Sequence, residues 1–222
     1  MSPRAWLLPL ALLAMPLAQA AECELQLGHG WPPATGNHGD AVEGLLVADA
    51  APALQLTWLP KRGTESALML LQPTDGGDWT LRYARPSERV DQWDNRGGGM
   101  KRVLLVDQQP EVLEVPMPAA LAARLVDGWQ RTLRAGVPAD RAAEFHDDEV
   151  LSFVIAGERF SGLEPKCGAG ELLVEQAEDL IKTADEDDAE DRAERWQDLQ
   201  RDLDELDEEL VEASYGDRAA AG

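Results

Sequence analysis

EVLSFVIAGERFSGLEPKC, residues 149–167, decides how this chain closes. Val150, Leu151, Phe153, Val154 and Ile155 form a β-branched and aromatic run with acids before it and Gly157 behind it. That composition predicts a buried strand. Phe160 lies just past the turn, and Cys167 follows Pro165. The other cysteine of the chain is Cys23, near the opposite end. A buried strand leading to one half of the only available disulfide is where the fold closes.

The disulfide itself depends on where the chain goes. Residues 1–20 read as a secretory signal peptide: Arg4 gives a short positive start, residues 5–17 are apolar, and Ala18-Gln19-Ala20 is a small-x-small cleavage site. Cleavage after Ala20 releases a chain of about 200 residues, enough for one domain with a real core. The apolar run is too short to span a bilayer, and no later stretch approaches the length needed. Glu22 is the wrong residue before Cys23 for a lipid anchor, where a small one is wanted. The expectation is a periplasmic or secreted protein with no membrane insertion after signal removal. In an oxidising compartment, Cys23 and Cys167 are most simply bonded to each other. By loop-closure entropy a bridge of that span stabilises by up to roughly 5 kcal/mol.

Charge narrows the function classes. The chain carries 42 Asp and Glu against 20 Lys and Arg, a formal net charge of -22. Nucleic acids and anionic lipid surfaces need basic footprints and are poor partners for it. Cationic proteins or metal cations are better ones.

Working back from the central strand, three apolar runs (residues 53–59, 67–71 and 79–84) alternate between turn signals and predict a β-meander, with Asp75-Gly76-Gly77 as its clearest turn. Residues 23–27 are a weaker first strand, and residues 28–44 read as a Gly/Pro/Asn loop containing Trp31. Residues 85–99 break the pattern. Residues 103–106 and 112–115 predict a second hairpin around Gln108-Gln109-Pro110. Leu121, Leu125, Trp129 and Leu133 place one apolar stripe along a helix over residues 118–135. A second helix is predicted over residues 169–184. The fold class that follows is α+β: a mainly antiparallel sheet of five to seven strands, covered on one face by these two helices.

Beyond Lys182 the composition shifts. Residues 169–222 hold 20 Asp and Glu against five Lys and Arg. The expected domain is therefore residues 21–184, followed by an acidic helical tail over residues 185–222. Trp196, Leu199, Leu203, Leu206 and Leu210 form a 3-4 apolar stripe along the tail, so that helix must lie against something. It can fold back on its own domain, pack antiparallel with a twin, or receive a basic partner. Folding back is the simplest, since tertiary packing is what stabilises most helices.

Catalytic templates fail. Residues 157–162 begin like a phosphate loop, but Leu163-Glu164 stands where Lys and Ser/Thr are required. Ser161 lacks the glycine two residues earlier that a nucleophile elbow needs. Gly168-Ala169-Gly170 lacks the third glycine of a dinucleotide site. The acidic run from Asp185 has Glu190 and Trp196 where a calcium loop needs Gly and Glu.

Two clusters remain. His29, His38 and Asp40 share one loop and His146 lies in Glu144-Phe145-His146-Asp147-Asp148-Glu149, a set that in principle suits Zn²⁺ or Cu²⁺ but matches no recurring ligand spacing. Arg82, Arg85, Arg89, Arg96, Lys101 and Arg102, with Trp93 among them, are the one local excess of cations. They read either as a binding loop for an anion or as charge protecting a sheet edge. Attraction between this basic stretch and the acidic tail is expected to help dock the tail. The leading expectation for function is an exported, non-catalytic binding protein without a cofactor that engages a cationic protein partner. The alternative is an exported metal-dependent enzyme or metal-binding protein using His29, His38, Asp40 and His146.

Overall fold

The structure, a computed structural model, describes residues 23–95 and 98–220, with side chains in the last helix only as far as Ala213. The expected signal peptide, residues 1–20, and Arg96 of the basic stretch lie outside the described residues. The chain runs β1 (Leu27–His29), α1 (Gly36–Leu46), β2 (Leu54–Leu59), β3 (Ser66–Leu71), β4 (Trp79–Arg85), β5 (Asp91–Asp94), β6 (Lys101–Leu104) and β7 (Glu111–Met117). It continues through α2 (Ala119–Gly136), β8 (Val150–Ile155), β9 (Glu158–Gly162), α3 (Gly168–Ala184) and α4 (Ala189–Ala220). Seven strands form one antiparallel sheet in the order β1-β9-β8-β2-β3-β4-β7, and β5 pairs with β6 in a separate hairpin. The protein is α+β, with a meander at its centre and a long acidic helix at its end.

β8 is paired on both sides, to β2 and to β9. Its alternate residues Leu151, Phe153 and Ile155 enter the main core with Leu54 and Leu56 of β2 and Phe160 of β9. The β8–β9 turn is Ala156-Gly157, both at positive φ (49° and 79°), the conformation a two-residue hairpin loop requires.

The same face of the sheet is covered by α2 and α3, whose Leu121, Leu125, Trp129, Leu133, Leu173, Ala177 and Leu180 belong to that core. The chain's N-terminal segment is wedged under the ends of both helices. A Cβ on Gly136 or on Gly170 would sit 2.4 or 2.3 Å from the Leu25 methyl groups, so glycine is what lets the two helices close over that side chain. Beside it Cys23 is bonded to Cys167, the residue immediately before α3, with the Cα atoms 5.8 Å apart.

Two local expectations need correction. Residues 28–44 are not a loop: the first strand, β1, overlaps the one expected over residues 23–27 only at Leu27 and runs on to His29, and α1 follows it. Helix propensity is poor there, with three glycines. Burial supplies the stability instead, since Val42 and Leu46 are fully enclosed on the second face of the sheet with Leu59, Ala67 and Met69. The second hairpin does not form either. β7 pairs with β4, which lets Val115 and Met117 complete the main core, and β6 pairs with β5 inside the segment expected to be irregular. Gln108 holds this arrangement: its amide oxygen accepts from Ser87 Oγ and the Glu88 N–H, and its nitrogen donates to the carbonyls of Leu105 and Glu88.

The tail folds back. Asp188 caps α4, its Oδ1 accepting from the N–H groups of Glu190 (2.7 Å) and Asp191 (3.3 Å). Trp196, Leu199, Leu203 and Leu206 are buried in the core shared by α2 and α3, and Leu210 is partly buried there. The basic stretch around Arg89 is not what receives the tail. Arg124 and Arg131 of α2 do, bonding Asp204 and Asp207 at 2.7–2.8 Å. The two residues are seven apart and therefore share one side of α2. These guanidinium groups, Arg124 first and Arg131 second, hold the Asp207 carboxyl below the usual range.

Because the apolar stripe is buried and the ion pairs are half exposed, burial holds the tail and charge sets its register. Leu203→Ala is expected to cost about 2–5 kcal/mol, and Arg131→Ala less than about 1 kcal/mol. Denaturant melts of the two variants, with hydrogen exchange along α4, check this ranking; equal losses would contradict it.

Candidate functional site

Three groupings of polar side chains stand apart from the core: a network between α1 and the sheet, the β5–β6 hairpin, and a groove between α3 and α4. The network forms because β2, β8 and β9 turn Gln55, Thr57, Ser152 and Arg159 away from the main core toward α1. Arg159 donates Nη1 and Nη2 to the two carboxylate oxygens of Glu43 (2.7 and 2.8 Å), bonds Ser152 Oγ at 2.6 Å, and lies 4.1 Å over the Trp31 ring. Thr57 Oγ1 donates to Glu43, and Gln55 donates to Thr57. Ser161 donates its hydroxyl to the carbonyl of Gly30. These groups are bonded to one another, and the arrangement pins α1 to the sheet.

Glu65 is the second anchor of that face. It is fully buried immediately before β3. It accepts from His38 Nε2 (2.8 Å) and from the N–H groups of Val90 (2.8 Å) and Asp91 (3.2 Å), with Arg89 Nε 4.0 Å away. Burial alone would raise its pKa, but the hydrogen bonds from His38 and the backbone outweigh burial and bring it to about 2. As a carboxylate it requires the hydrogen of His38 on Nε2.

The four residues of the metal alternative are each placed differently. His38 is spent on Glu65, and Asp40 accepts from Trp31 Nε1 at 2.9 Å. The His29 ring packs on Phe160 with centroids 5.0 Å apart. His146 lines a cleft of about 320 Å³ with Glu24, Arg141 and Glu144 beside β1. Among the described residues no three His, Cys, Asp or Glu side chains come together in a group able to hold a metal ion.

The basic stretch divides. Arg82 and Arg85 project from β4, an inner strand, toward Glu114 (3.6 Å) and Glu111 (2.8 Å) of the edge strand β7. Arg102 bonds Asp91 across the hairpin at 2.6 Å. Lys101 is exposed, and Trp93 is 63% exposed. The stripe residues Trp196, Leu199, Leu203 and Leu206 are not a surface for a partner, since they are buried within this chain.

What the tail leaves outside is carboxylate. Asp179 of α3 and Asp198 and Asp202 of α4 line a groove of about 140 Å³ with Leu180, Thr183, Arg195 and Leu199. Burial raises the Asp202 carboxyl, and the charges of Asp179 and Asp198 raise it further. Lys182 pairs with Asp179 and Arg201 with Asp198, both as exposed neighbours along their own helices. Such a groove can accept a cationic group that bridges the helices.

Sequence reasoning missed Glu43, Arg159 and Glu65. The signal was weak: charged residues within β-patterned or helical segments, whose burial and pairing depend on strand order. Arg124 and Arg131 had a legible signal, their seven-residue spacing opposite an acidic helix.

Glu65 has a pH signature. Its pKa is lowered on folding, so its contribution is present above the unfolded value of 4.5 and is lost as pH falls toward about 2. The size is about 3 kcal/mol. Glu65→Gln should therefore destabilise at pH 7 by about that amount. The gap between variant and wild type should narrow between pH 5 and 2 in parallel urea melts; a gap independent of pH would contradict the assignment.

Comparisons of the chain with models of known protein families, with curated proteins and with solved structures found no match, so the geometry alone carries the functional reading.

Proposed function

We propose that this is an exported, non-catalytic binding protein that engages a cationic protein partner through the acidic layer formed by α3 and α4. The observation that carries it is the groove holding Asp179, Asp198 and Asp202, where Asp202 is pushed up by burial and by its neighbours' charge. Asp179 and Asp198 each have a cation on their own helix, whereas the charged form of Asp202 is penalised by burial and by both neighbours, and a lysine or arginine inserted beside it relieves that penalty. Around the groove, Glu171, Glu175 and Glu178 of α3 and Glu194 and Glu205 of α4 are exposed. They extend the field beyond the groove itself and favour encounter with a basic surface.

Export is part of the proposal and rests on the sequence of residues 1–20 and on the Cys23–Cys167 bond, which fits an oxidising compartment. Among the described residues no helix is long and apolar enough to cross a membrane.

Asp202→Asn should stabilise the free protein at pH 7, because its carboxyl is raised on folding and its charged form is penalised. Asp198→Asn/Asp202→Asn should weaken binding of a defined oligolysine about fivefold or more. Neutralising Asp75 and Asp78, in the turn before β4, should change it less than about twofold. Calorimetric titration of the three proteins decides: equal weakening would mean that net charge alone attracts the cation, and the groove would lose its role.

A further inference from the structure

A second surface carries the opposite charge. The tail docks on α2, so the basic region beside the β5–β6 hairpin is not filled by the chain's own acidic helix. There the β2–β3 turn meets the hairpin across an open concavity of about 530 Å³, lined by Lys61, Arg62, Arg89, Asp91, Gln92 and Trp93. The size suits a small molecule. Among the described residues its lining holds three cations and one carboxylate. Asp91 already accepts from Arg102, Arg89 lies beside Glu65 and Lys61 beside Asp147, so Arg62 is the lining cation left over.

The cations are held in different ways. Arg89 is anchored by donating Nε to the carbonyl of Asp91 (3.0 Å) and Nη1 to that of Gly63 (2.8 Å), which joins turn and hairpin into one wall. Lys61 donates to the carbonyl of Asp147 at 2.7 Å and lies 3.6 Å from its carboxylate. Arg62 is exposed and forms no ion pair among the described residues. Trp93 is the one exposed tryptophan among those described, while Trp79, Trp129 and Trp196 are buried and Trp31 and Trp58 partly so. An indole left in water beside a fork of guanidinium donors offers a flat apolar face next to an anion-binding group.

We propose that this concavity binds a small molecule that joins a phosphate or carboxylate to an aromatic or sugar ring, the anion bonding Arg62 with Lys61 and Arg89 nearby, and a face of the ring stacking on Trp93. The site is independent of the acidic groove, since hairpin residues Val90 and Leu104 pack on the sheet face opposite α4.

Trp93 supplies its own reporter, because its emission is the one most open to a ligand or to iodide. The full-length exported protein is titrated with adenosine monophosphate, glucuronate, adenosine and inorganic phosphate. The first two share the anion-on-ring chemistry and distinguish an aromatic ring from a sugar ring. A saturable change in tryptophan emission and loss of iodide quenching are expected with at least one of them, absent in Trp93→Phe. Affinity should fall at least fivefold in Arg62→Ala, and both replaced side chains are exposed, so the fold is retained. No saturable response to either anion would overturn the proposal. So would equal affinity for adenosine or for inorganic phosphate, because then charge or ring is not being read, or an Arg62→Ala protein that binds as tightly as the wild type.

Discussion

Trp129 is the point on which the layers of this protein depend. Its ring is fully buried and meets Phe153 of the central strand edge-on, with centroids 5.8 Å apart. Its indole N–H donates to Gln176 of α3 at 2.8 Å, and the Gln176 amide donates in turn to the carbonyl of Asp202 in α4 at 3.0 Å. A large apolar side chain with one polar edge is suited to such a position only if that edge finds a partner. Left alone, the buried N–H would cost about 1–3 kcal/mol. One chain of contacts therefore fixes sheet, α2, α3 and α4 relative to one another, and the acidic groove that α3 and α4 form inherits its geometry from it.

The two faces of the sheet are built on different physics. Toward α2 and α3 each strand of the seven-stranded sheet contributes large apolar side chains, and non-directional burial does the work. Toward α1 the strands present Gln55, Thr57, Ser152 and Arg159 beside Leu59, Ala67 and Met69, and a bidentate ion pair with the Trp31 ring beneath it adds direction to the burial of Val42 and Leu46. Directional bonds of this kind specify one position for α1, whose own sequence has little tendency to be helical. The buried carboxylate of Glu65 adds a clasp that reaches from α1 to the segment leading into the hairpin.

Charge is segregated by this arrangement. Acidic residues on α3 and α4 lie on one side of the sheet, and Lys61, Arg62 and Arg89 gather beside the hairpin on the other. A molecule so divided orients in the field of a charged partner before contact, which affects encounter more than final affinity.

Much of the architecture was legible because hydrophobic periodicity is local. The alternation in β2 and β4, the apolar runs of β3 and β8, the four-residue recurrence in α2 and the 3-4 stripe of α4 are properties of adjacent residues. The meander, the two covering helices, the tail helix and the Cys23–Cys167 pairing, implied by an even count of two, follow from them. Strand order was not legible in the same way. β7 reads equally well as a partner of β6 or of β4, and only completion of the core by Val115 and Met117 selects β4. The helix α1 was hidden because its glycines argue against it and its stability comes from residues distant in sequence.

The candidate surfaces divide along the same line. By itself the sequence determined that the chain is acidic, that its acids concentrate near the end, that a cation-rich stretch holds Trp93, and that the tail must bury an apolar stripe. Only the tertiary structure decided what that stripe covers, which carboxylates are forced together, and that Lys61 and Arg62 join Arg89 and Trp93. The physical reason is range: composition and periodicity act between neighbours along the chain. Electrostatic crowding and shared concavities arise between groups brought together from far apart in sequence, and no local pattern encodes them.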